Sequence, residues 1–296
     1  MQKKHNMLYY IALAGAVFFW SSAFIVSKAA LVGMGPITLS TVRILICFFV
    51  LLPFSVKRGF TFRSLFRRNS FFYGVFGYGG NLILLTLGLT ECSAGASAIS
   101  HGLFPVFMLF FGYLLLSEKV TINKAVGIIF SIVGVVIASI GDLTLNTGST
   151  LKGILLVVIS VFSWAYYSVF AKKTAGNLDT LVLTELCFGT AAICTIPLAI
   201  CEILWVGLPN PDHITIICIL HLSLMSGVFA TLLWNFSVKK VSTAVSGIYF
   251  NLLPVIGLAF AVAFGEQTSL LQITGCIFVL VGVLITTIGS VNDSMQ

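Results

Sequence analysis

Residues 93–118 read SAGASAISHGLFPVFMLFFGYLLLSE, and a variant of this stretch, STAVSGIYFNLLPVIGLAFAVAFGE, returns at residues 242–266. Each copy begins with a serine, has a proline twelve positions later and ends in a glutamate. The two glutamates, Glu118 and Glu266, lie 148 residues apart, and Gly127 is followed by Gly275 at the same interval. The chain is therefore a tandem repeat.

The repeat extends to the first part of each half. Trp20 and Lys28 are matched by Trp164 and Lys172, 144 residues later. A repeat of this length is far longer than the 20 to 50 residues of solenoids. It indicates duplication of a whole bundle, and we predict a first repeat at residues 1–145 and a second at 146–296.

Composition predicts a membrane protein. Hydrophobic residues make up 58% of the chain, charged residues only 8%, and the mean hydropathy is +1.09. A soluble core could not bury this much apolar surface.

Ten apolar runs of roughly 20 residues each have the length of a helix that crosses the bilayer. They lie near residues 8–30, 37–56, 70–90, 93–116, 122–140, 151–173, 180–206, 214–238, 243–264 and 270–290. Transmembrane strands are excluded because the runs show no period of two and are twice too long. The predicted fold is an all-α integral membrane protein with ten transmembrane helices.

The loops leave no room for a soluble domain, since the longest are residues 57–69 and 141–150. The first run is too long for a signal peptide and has no small-x-small cleavage site, so we interpret it as an uncleaved helix. The sequence lacks Walker A, G-x-S-x-G and H-E-x-x-H motifs, and its seven cysteines form no C-x2-C pair. We expect no enzyme activity, no cofactor and no metal site.

Basic residues predict the orientation. With a cytoplasmic N-terminus, thirteen lysines and arginines fall on the cytoplasmic side and two, Lys28 and Lys152, on the outer side. The thirteen are Lys3, Lys4, Lys57, Arg58, Arg63, Arg67, Arg68, Lys119, Lys124, Lys172, Lys173, Lys239 and Lys240. The net charge of +7 then reflects topology and contact with anionic lipid, not binding of nucleic acid.

Five helices per repeat is an odd number, so the second repeat enters the membrane from the opposite side. The two five-helix repeats are inverted, with both termini cytoplasmic. Glu118 then lies at the inner face and Glu266 at the outer one. Inverted repeats can exchange conformations, which is the basis of alternating access.

This ordered set of features resembles the EamA family of the drug/metabolite transporter superfamily. The residues that carry the resemblance are FFWSSAFIVSK (18–28), SAG with Pro105 and SEK (117–119), FSWAYYSVFAKK (162–173), WNFSVKKVSTAVSG (234–247) and Pro254 with Gly265-Glu266. The resemblance implies secondary transport of small metabolites, commonly efflux of amino acids or related compounds. It also implies a central cavity lined largely by helices 3, 4, 8 and 9, and a bacterial inner-membrane location.

Arg43 and Glu185 are charged residues well inside predicted helices, where an ionisable side chain is a functional candidate. Arg43 is roughly 9 Å inside the outer end of the second helix, and Glu185 lies near the equivalent position of the seventh. Arg43 is a candidate clamp for a substrate carboxylate, and Glu185 a partner for a proton or an amine. Ion pairs between packed helices, or snorkelling to headgroups, are the structural alternative.

Prolines predict two breaks near the midplane. Pro105 has no N–H, so we expect the carbonyl of His101 to lose its helical donor; Pro254 has the same effect next to Asn251. His101 shares a helix face with Ser97, and it is a candidate for ligand contact or proton handling, with bonding to a neighbouring helix as the alternative.

Further candidates for the substrate site are polar or aromatic residues at membrane depth, of which Asn251 is the first choice. The others are Tyr78 and Asn81 in helix 3, Trp20 in helix 1, Trp164 and Tyr167 in helix 6, Asn235 in helix 8 and Tyr249 in helix 9. Packing is the alternative for each, and for the tryptophans it is the favoured one.

Glu118 and Glu266 end their helices beside loops. We expect them to cap a helix or pair across the repeat, with a gating role as the alternative.

The favoured function is a secondary carrier for an amino acid or related metabolite, with export as the favoured direction. Uptake or exchange of a nucleotide-derived or cationic metabolite, such as S-adenosylmethionine, choline or a nucleotide sugar, is the alternative within transport. A non-transporting membrane subunit is the alternative class. The expected partners are a small-molecule substrate, the lipid bilayer and, as a candidate coupling ion, the proton; the chain is a monomer or a homodimer.

Overall fold

The computed structural model describes residues 2–117, 122–145, 148–174, 176, 178–238 and 249–293. Within these residues the chain consists of helices and short connections, without a strand. Glu118 and the side chain of Asn235 lie outside the described part of the structure.

The helices follow the predicted apolar runs. They are α1 (Gln2–Ala30), α2 (Pro36–Val56), α3 (Arg68–Thr90), α4 (Ala94–Leu116), α5 (Ile122–Leu143), α6 (Leu151–Thr174), α7 (Thr180–Val206), α8 (His213–Leu220, His221–Phe229 and Ala230–Val238 in succession), α9 (Leu253–Ala263) and α10 (Leu270–Asp293). A short 3-10 helix, Phe62–Phe66, lies in the loop predicted at 57–69.

The helices have the lengths and surfaces of membrane spans. In the described residues, eight helices of 19 to 27 residues are long and apolar enough to cross a bilayer, and two shorter apolar helices cover Leu253–Ala263 and Leu270–Ile285. Large apolar side chains on the outside of the bundle, such as Ile129 and Val136 on α5 and Ile277 on α10, are exposed because no protein covers them. The chain is a multi-pass, all-helical membrane protein.

Two helices that face the interior contain π-helical turns, at Tyr73–Gly79 in α3 and at His221–Phe229 in α8. A π turn holds one more residue than an α turn and often occurs at a functional site. In α3 it includes Gly74, where a Cβ atom would lie 2.5 Å from the backbone nitrogen of Ala191 in α7. The glycine therefore permits the close approach of α3 to α7.

Helix α4 is interrupted where its proline predicts a break. The segment Ala94–Ser100 is α-helical, His101–Leu103 forms a 3-10 turn, and the α-helix resumes as Phe104–Leu116. Pro105 stands in the first turn of the resumed segment, where a missing N–H has no cost. Pro254 occupies the same kind of position at the start of α9, after a turn at residues 251–252.

The prediction of a free carbonyl at His101 is wrong. The backbone N–H of Phe104 donates to the carbonyl oxygen of His101. The 3-10 turn supplies a donor three residues ahead in place of the one that Pro105 lacks four residues ahead.

Candidate functional site

A central cavity lies inside the bundle, and the empty space within it and at its open mouth together amounts to about 720 Å³. Its walls are formed by Trp20, Ala23, Phe24, Arg43, Ile44, Cys47, Tyr78, Asn81, Leu82, Leu85, His101, Trp164, Phe188, Leu222, Ser226, Gly227, Phe250 and Leu253. Helices α1 and α2 contribute three residues each, whereas α4 contributes His101 alone. Helices α3, α4 and α8 and the start of α9 contribute ten of the eighteen lining residues, and α1 and α2 contribute six more.

Six of the residues proposed from the sequence line this cavity: Trp20, Arg43, Tyr78, Asn81, His101 and Trp164. They come from five different helices, so the fold brings together side chains that are far apart in the chain. Most of the wall between them is apolar. An apolar cavity with a few convergent polar groups has the form of a small-molecule site.

Arg43 is the charged residue of the cavity wall. It is 4% exposed, its Nη1 donates a long hydrogen bond of 3.4 Å to Oγ of Ser27, and its Nε has no partner. Within the described residues, no carboxylate forms an ion pair with it. A guanidinium that is buried without a counterion is costly unless an anion completes the site.

Glu185 is also buried without a partner. It is fully buried, and neither carboxylate oxygen accepts a hydrogen bond in the described structure. It lies near Cys47, which also interacts electrostatically with Arg43, but Glu185 itself does not line the cavity. Both charged candidates thus interact with Cys47, and the described structure shows no ion pair between them.

His101 presents its ring to the cavity in a fixed orientation. Its Nδ1 lies 2.9 Å from the carbonyl oxygen of Ser97, and the ring packs edge-on against Phe24 with centroids 4.8 Å apart. A carbonyl only accepts, so Nδ1 carries the proton of this hydrogen bond and Nε2 remains for another partner. Ser97 is fully buried outside the cavity, and its Oγ donates to the carbonyl of Ser93.

The polar groups of α3 and α1 are held by neighbouring helices. Nδ2 of Asn81 donates to the carbonyl of Ser160 at 2.9 Å, which leaves the amide oxygen for another donor. Nε1 of Trp20 donates to the carbonyl of Ser226 at 3.0 Å, inside the π segment of α8. Both side chains are therefore fixed at the cavity wall.

Aromatic rings form much of the wall. Trp164 packs edge-on against Tyr78 with ring centroids 5.2 Å apart, and Tyr78 packs against Phe188 with ring centroids 4.4 Å apart. The ring of Tyr167 packs against that of Trp164 with centroids 5.0 Å apart, and its hydroxyl accepts a hydrogen bond from the thiol of Cys187. Tyr167 supports the wall without being part of it.

Two predicted residues near α9 lie away from the cavity. Tyr249 stacks on Tyr10 with centroids 6.3 Å apart. Asn251, the first choice from the sequence, is 7% exposed, and both its amide atoms lack a partner in the described structure, but its neighbour Phe250 lines the cavity instead.

The sequence did not single out several residues that line the cavity, above all Phe24, Phe188 and Phe250. It also missed His221, which lies close enough to Arg43 to interact with it and whose Nε2 lies 3.0 Å from Oγ of Ser22. The sequence contains no pattern from which we could predict the π-helical turns. Among the described residues, no three His, Cys, Asp or Glu side chains are grouped as metal ligands.

Glu266 joins the two halves of the chain at one end of the bundle. Its carboxylate accepts hydrogen bonds from the backbone N–H groups of Ala94 at 3.0 Å and Gly95 at 3.1 Å, and it lies 3.4 Å from Nζ of Lys28. A carboxylate at a helix N-terminus satisfies free donors and interacts favourably with the helix dipole. Glu266 therefore caps α4 across the repeat, as the sequence led us to expect.

Other acidic side chains hold the same end together. Glu202 accepts from the N–H groups of Ile37 at 3.1 Å and Thr38 at 2.6 Å, at the start of α2. Glu91 pairs with Lys152 and Thr150, and hydrogen bonds from these two side chains lower its pKa. At this end of the bundle, carboxylates therefore connect helices and loops that are far apart in the sequence.

Replacing Glu266 with alanine is expected to destabilise the protein by about 1–3 kcal/mol, because two buried N–H donors and Lys28 lose a charged acceptor. The measurement is the midpoint of thermal unfolding in detergent. Gln267→Ala is the matched control, since the adjacent Gln267 is exposed and its loss should shift stability by less than about 0.5 kcal/mol. Equal midpoints for the two variants would show that the cap is not stabilising.

Comparison with known proteins agrees with this architecture. Residues 7–140 and again residues 151–288 match the sequence model of the EamA-like transporter family. An uncharacterized transporter of Archaeoglobus fulgidus is 28% identical over 279 residues, which cover 93% of this chain and 97% of the relative. A Salmonella typhimurium protein named "Probable amino-acid metabolite efflux pump" is 25% identical over 292 residues, 92% of each chain.

The fold itself is also found among solved structures. A crystal structure that is 19% identical in sequence superposes with a TM-score of 0.68 and covers 95% of this chain and 96% of its own. The fold is a multi-pass helical bundle around a central cavity, and the matching family consists of transporters. The protein is therefore a membrane transporter and not an enzyme. The chain belongs to the EamA-like transporter family.

Proposed function

We propose that this protein is a secondary carrier that moves a small polar or amphipathic metabolite, an amino acid or related compound, across the membrane by alternating access. The observation that carries the proposal is the central cavity, in which Arg43 is buried without a carboxylate partner in the described structure. A group of this cost at membrane depth is retained where a ligand uses it. The names of the relatives from Salmonella typhimurium and Escherichia coli support export.

The architecture behind the mechanism is a pair of inverted five-helix repeats, residues 1–145 and 146–296, which together make ten transmembrane helices. The sequence register of 148 residues and the twofold match of the family model support it. Rocking of one half against the other then exposes the cavity to each side of the membrane in turn. The interrupted helices at Pro105 and Pro254 are the places for such a movement, Glu266 lies at one of the ends that open and close, and a gating role of Glu118 stays a prediction from the sequence.

The location that fits is the cell inner membrane, with both termini cytoplasmic. The distribution of lysine and arginine supports this orientation. The end of the bundle that contains Glu266, where carboxylates connect the helices, is then the outer end. Glu185, which has no partner, is the residue that we assign to proton coupling.

Counterflow in liposomes tests the function. Proteoliposomes are loaded with an unlabelled metabolite and diluted into a trace of the same labelled compound, over a panel of amino acids and related compounds. We expect transient accumulation of label above equilibrium, since only a carrier exchanges one bound molecule for another. We expect His101→Ala to reduce it while the variant remains folded by size-exclusion chromatography.

The alternatives give different results in the same assay. Counterflow with choline, S-adenosylmethionine or a nucleotide sugar, and none with amino acids, would favour the second kind of carrier. No counterflow with any compound would favour a non-transporting membrane subunit and contradict the proposal.

A further inference from the structure

The charges around the cavity are one-sided. Among the eighteen lining residues, which all belong to the described part of the chain, Arg43 carries a permanent positive charge and none is an aspartate or glutamate. The hydrogen-bonding capacity of its guanidinium is largely unused, because its one bond, to Ser27, is 3.4 Å long and its Nε is bonded to nothing in the described structure. The cavity therefore offers a binding group for an anion and no counter-charge for a cation.

We propose that the ligand of this cavity is an organic carboxylate with an aromatic or other apolar body, that Arg43 binds its carboxylate, and that an α-ammonium group contributes nothing to binding. This inference rests on the proposed function, since it names the substrate class of the same cavity. It changes the substrate class from amino acids to carboxylates with an apolar body, with or without the amino group.

The geometry of arginine favours a carboxylate as the anion. A planar guanidinium donates two parallel N–H groups to the two oxygens of a carboxylate, and such bidentate pairs are among the strongest hydrogen bonds in proteins. Arg43 is buried, so water does not compete with the ligand as it does at a surface. A bound carboxylate supplies the missing counterion of Arg43, and binding relieves a cost that the empty site carries.

An ammonium group has no equivalent partner. Glu185, whose carboxylate interacts electrostatically with Cys47, does not line the cavity. The unpartnered amide of Asn251 also lies outside the wall. The ammonium of an amino acid would find only neutral acceptors at the wall, such as the amide oxygen of Asn81 and Nε2 of His101, and it would share a low-dielectric space with the positive charge of Arg43.

The aromatic rings of the wall would by themselves allow either a cationic ligand or an anionic ligand with an apolar body, because ring faces attract cations as well as apolar groups. Arg43 decides between them, since a cation bound against these rings is repelled by the guanidinium at short range. The rings of Trp20, Phe24, Trp164, Phe188 and Phe250 therefore serve as the contact surface for the apolar body of the ligand.

Three probes of one shape test this inference by titration of the purified protein in detergent. They are 3-phenylpropanoate, which has the carboxylate only, phenylalanine, which has both groups, and 2-phenylethylamine, which has the ammonium only. For the unmodified protein we expect the acid to bind at least as tightly as the amino acid, and the amine at least about tenfold more weakly than the acid. Tighter binding of the amine than of the acid would overturn the inference.

The variant Arg43→Gln is expected to lose at least about tenfold in affinity for the acid and to remove its preference over the amine. Arg58→Gln is the matched control, because Arg58 is exposed in a loop and pairs with Asp179 far from the cavity wall, and it should keep the order of the three probes. Arg43→Lys retains the charge and should keep acid above amine, so it tests the site if the glutamine variant does not fold. An Arg43→Gln protein that is folded and still prefers the acid as strongly as before would contradict the inference.

Failure of this inference and failure of the proposed function are distinguishable. Counterflow by a protein that prefers the amine would leave the carrier in place and refute the carboxylate site. Preferential binding of the acid in the absence of counterflow with any compound would confirm the site and refute the carrier.

Discussion

Replacing Ala23 with phenylalanine is expected to abolish transport while leaving the protein folded. Ala23 lies on α1 at the cavity wall and is 9% exposed, so we expect a benzyl group added there to extend into the cavity. The fold therefore tolerates the larger side chain, whereas the ligand loses the volume it needs. Since the contacts of a single methylene in a pocket change specificity by about 10- to 200-fold, filling it with a ring should reduce counterflow by at least as much.

Ala14→Phe makes the same chemical change nine residues earlier on the same helix. Ala14 is exposed on the outside of the bundle, where a phenylalanine meets lipid, and we expect its counterflow to equal that of the unmodified protein. Size-exclusion profiles and thermal midpoints of both variants check that they are folded. Normal counterflow in a folded Ala23→Phe protein would show that the substrate passes elsewhere.

The spans could be predicted from the sequence because membrane insertion constrains length and composition strongly. The predicted 37–56 compares with Pro36–Val56, and 180–206 with Thr180–Val206. The ends that differ, such as the start of α1 at Gln2 instead of residue 8, lie where helices continue beyond the apolar run. Hydropathy shows which residues can lie in the lipid, but it does not show where the hydrogen-bonded helix ends.

The candidate site was only partly predictable, for two physical reasons. Polar and charged residues at membrane depth are conspicuous, which is why Arg43, Asn81 and His101 were selected and do line the cavity. Apolar lining residues such as Phe188 and Phe250 resemble those that face lipid, and no local pattern distinguishes them.

Depth along a helix also does not give direction around it. Asn251 was placed at the midplane, but it lies in the turn before α9, and its neighbour Phe250 is the residue at the cavity. The π turn at Tyr73–Gly79 adds a residue to one turn of α3 and so shifts every later side chain around the axis relative to an ideal helix. Such shifts depend on packing against α7, which lies far away in the sequence.

Replacing Gly275 with leucine is expected to prevent the packing of α5 against α10. The two helices cross so closely at their glycines that a Cβ atom on Gly275 would lie 2.6 Å from the backbone nitrogen of Ala138 and 2.7 Å from its Cβ, and a Cβ on Gly134 would lie 2.6 Å from the carbonyl oxygen of Gly275. Backbone atoms cannot rotate away as a side chain can, so the helices must separate and lose the contacts that small residues permit.

The cost should exceed the roughly 1–3 kcal/mol of ordinary overpacking, because several turns of both helices are displaced together. We expect a large fall in the thermal midpoint in detergent, with much of the protein eluting as aggregate. Val281→Leu is the matched control on the same helix, since Val281 is 38% exposed and a longer side chain there extends toward lipid. A Gly275→Leu protein that unfolds at the same temperature as Val281→Leu would show that the close contact between α5 and α10 does not hold the bundle together.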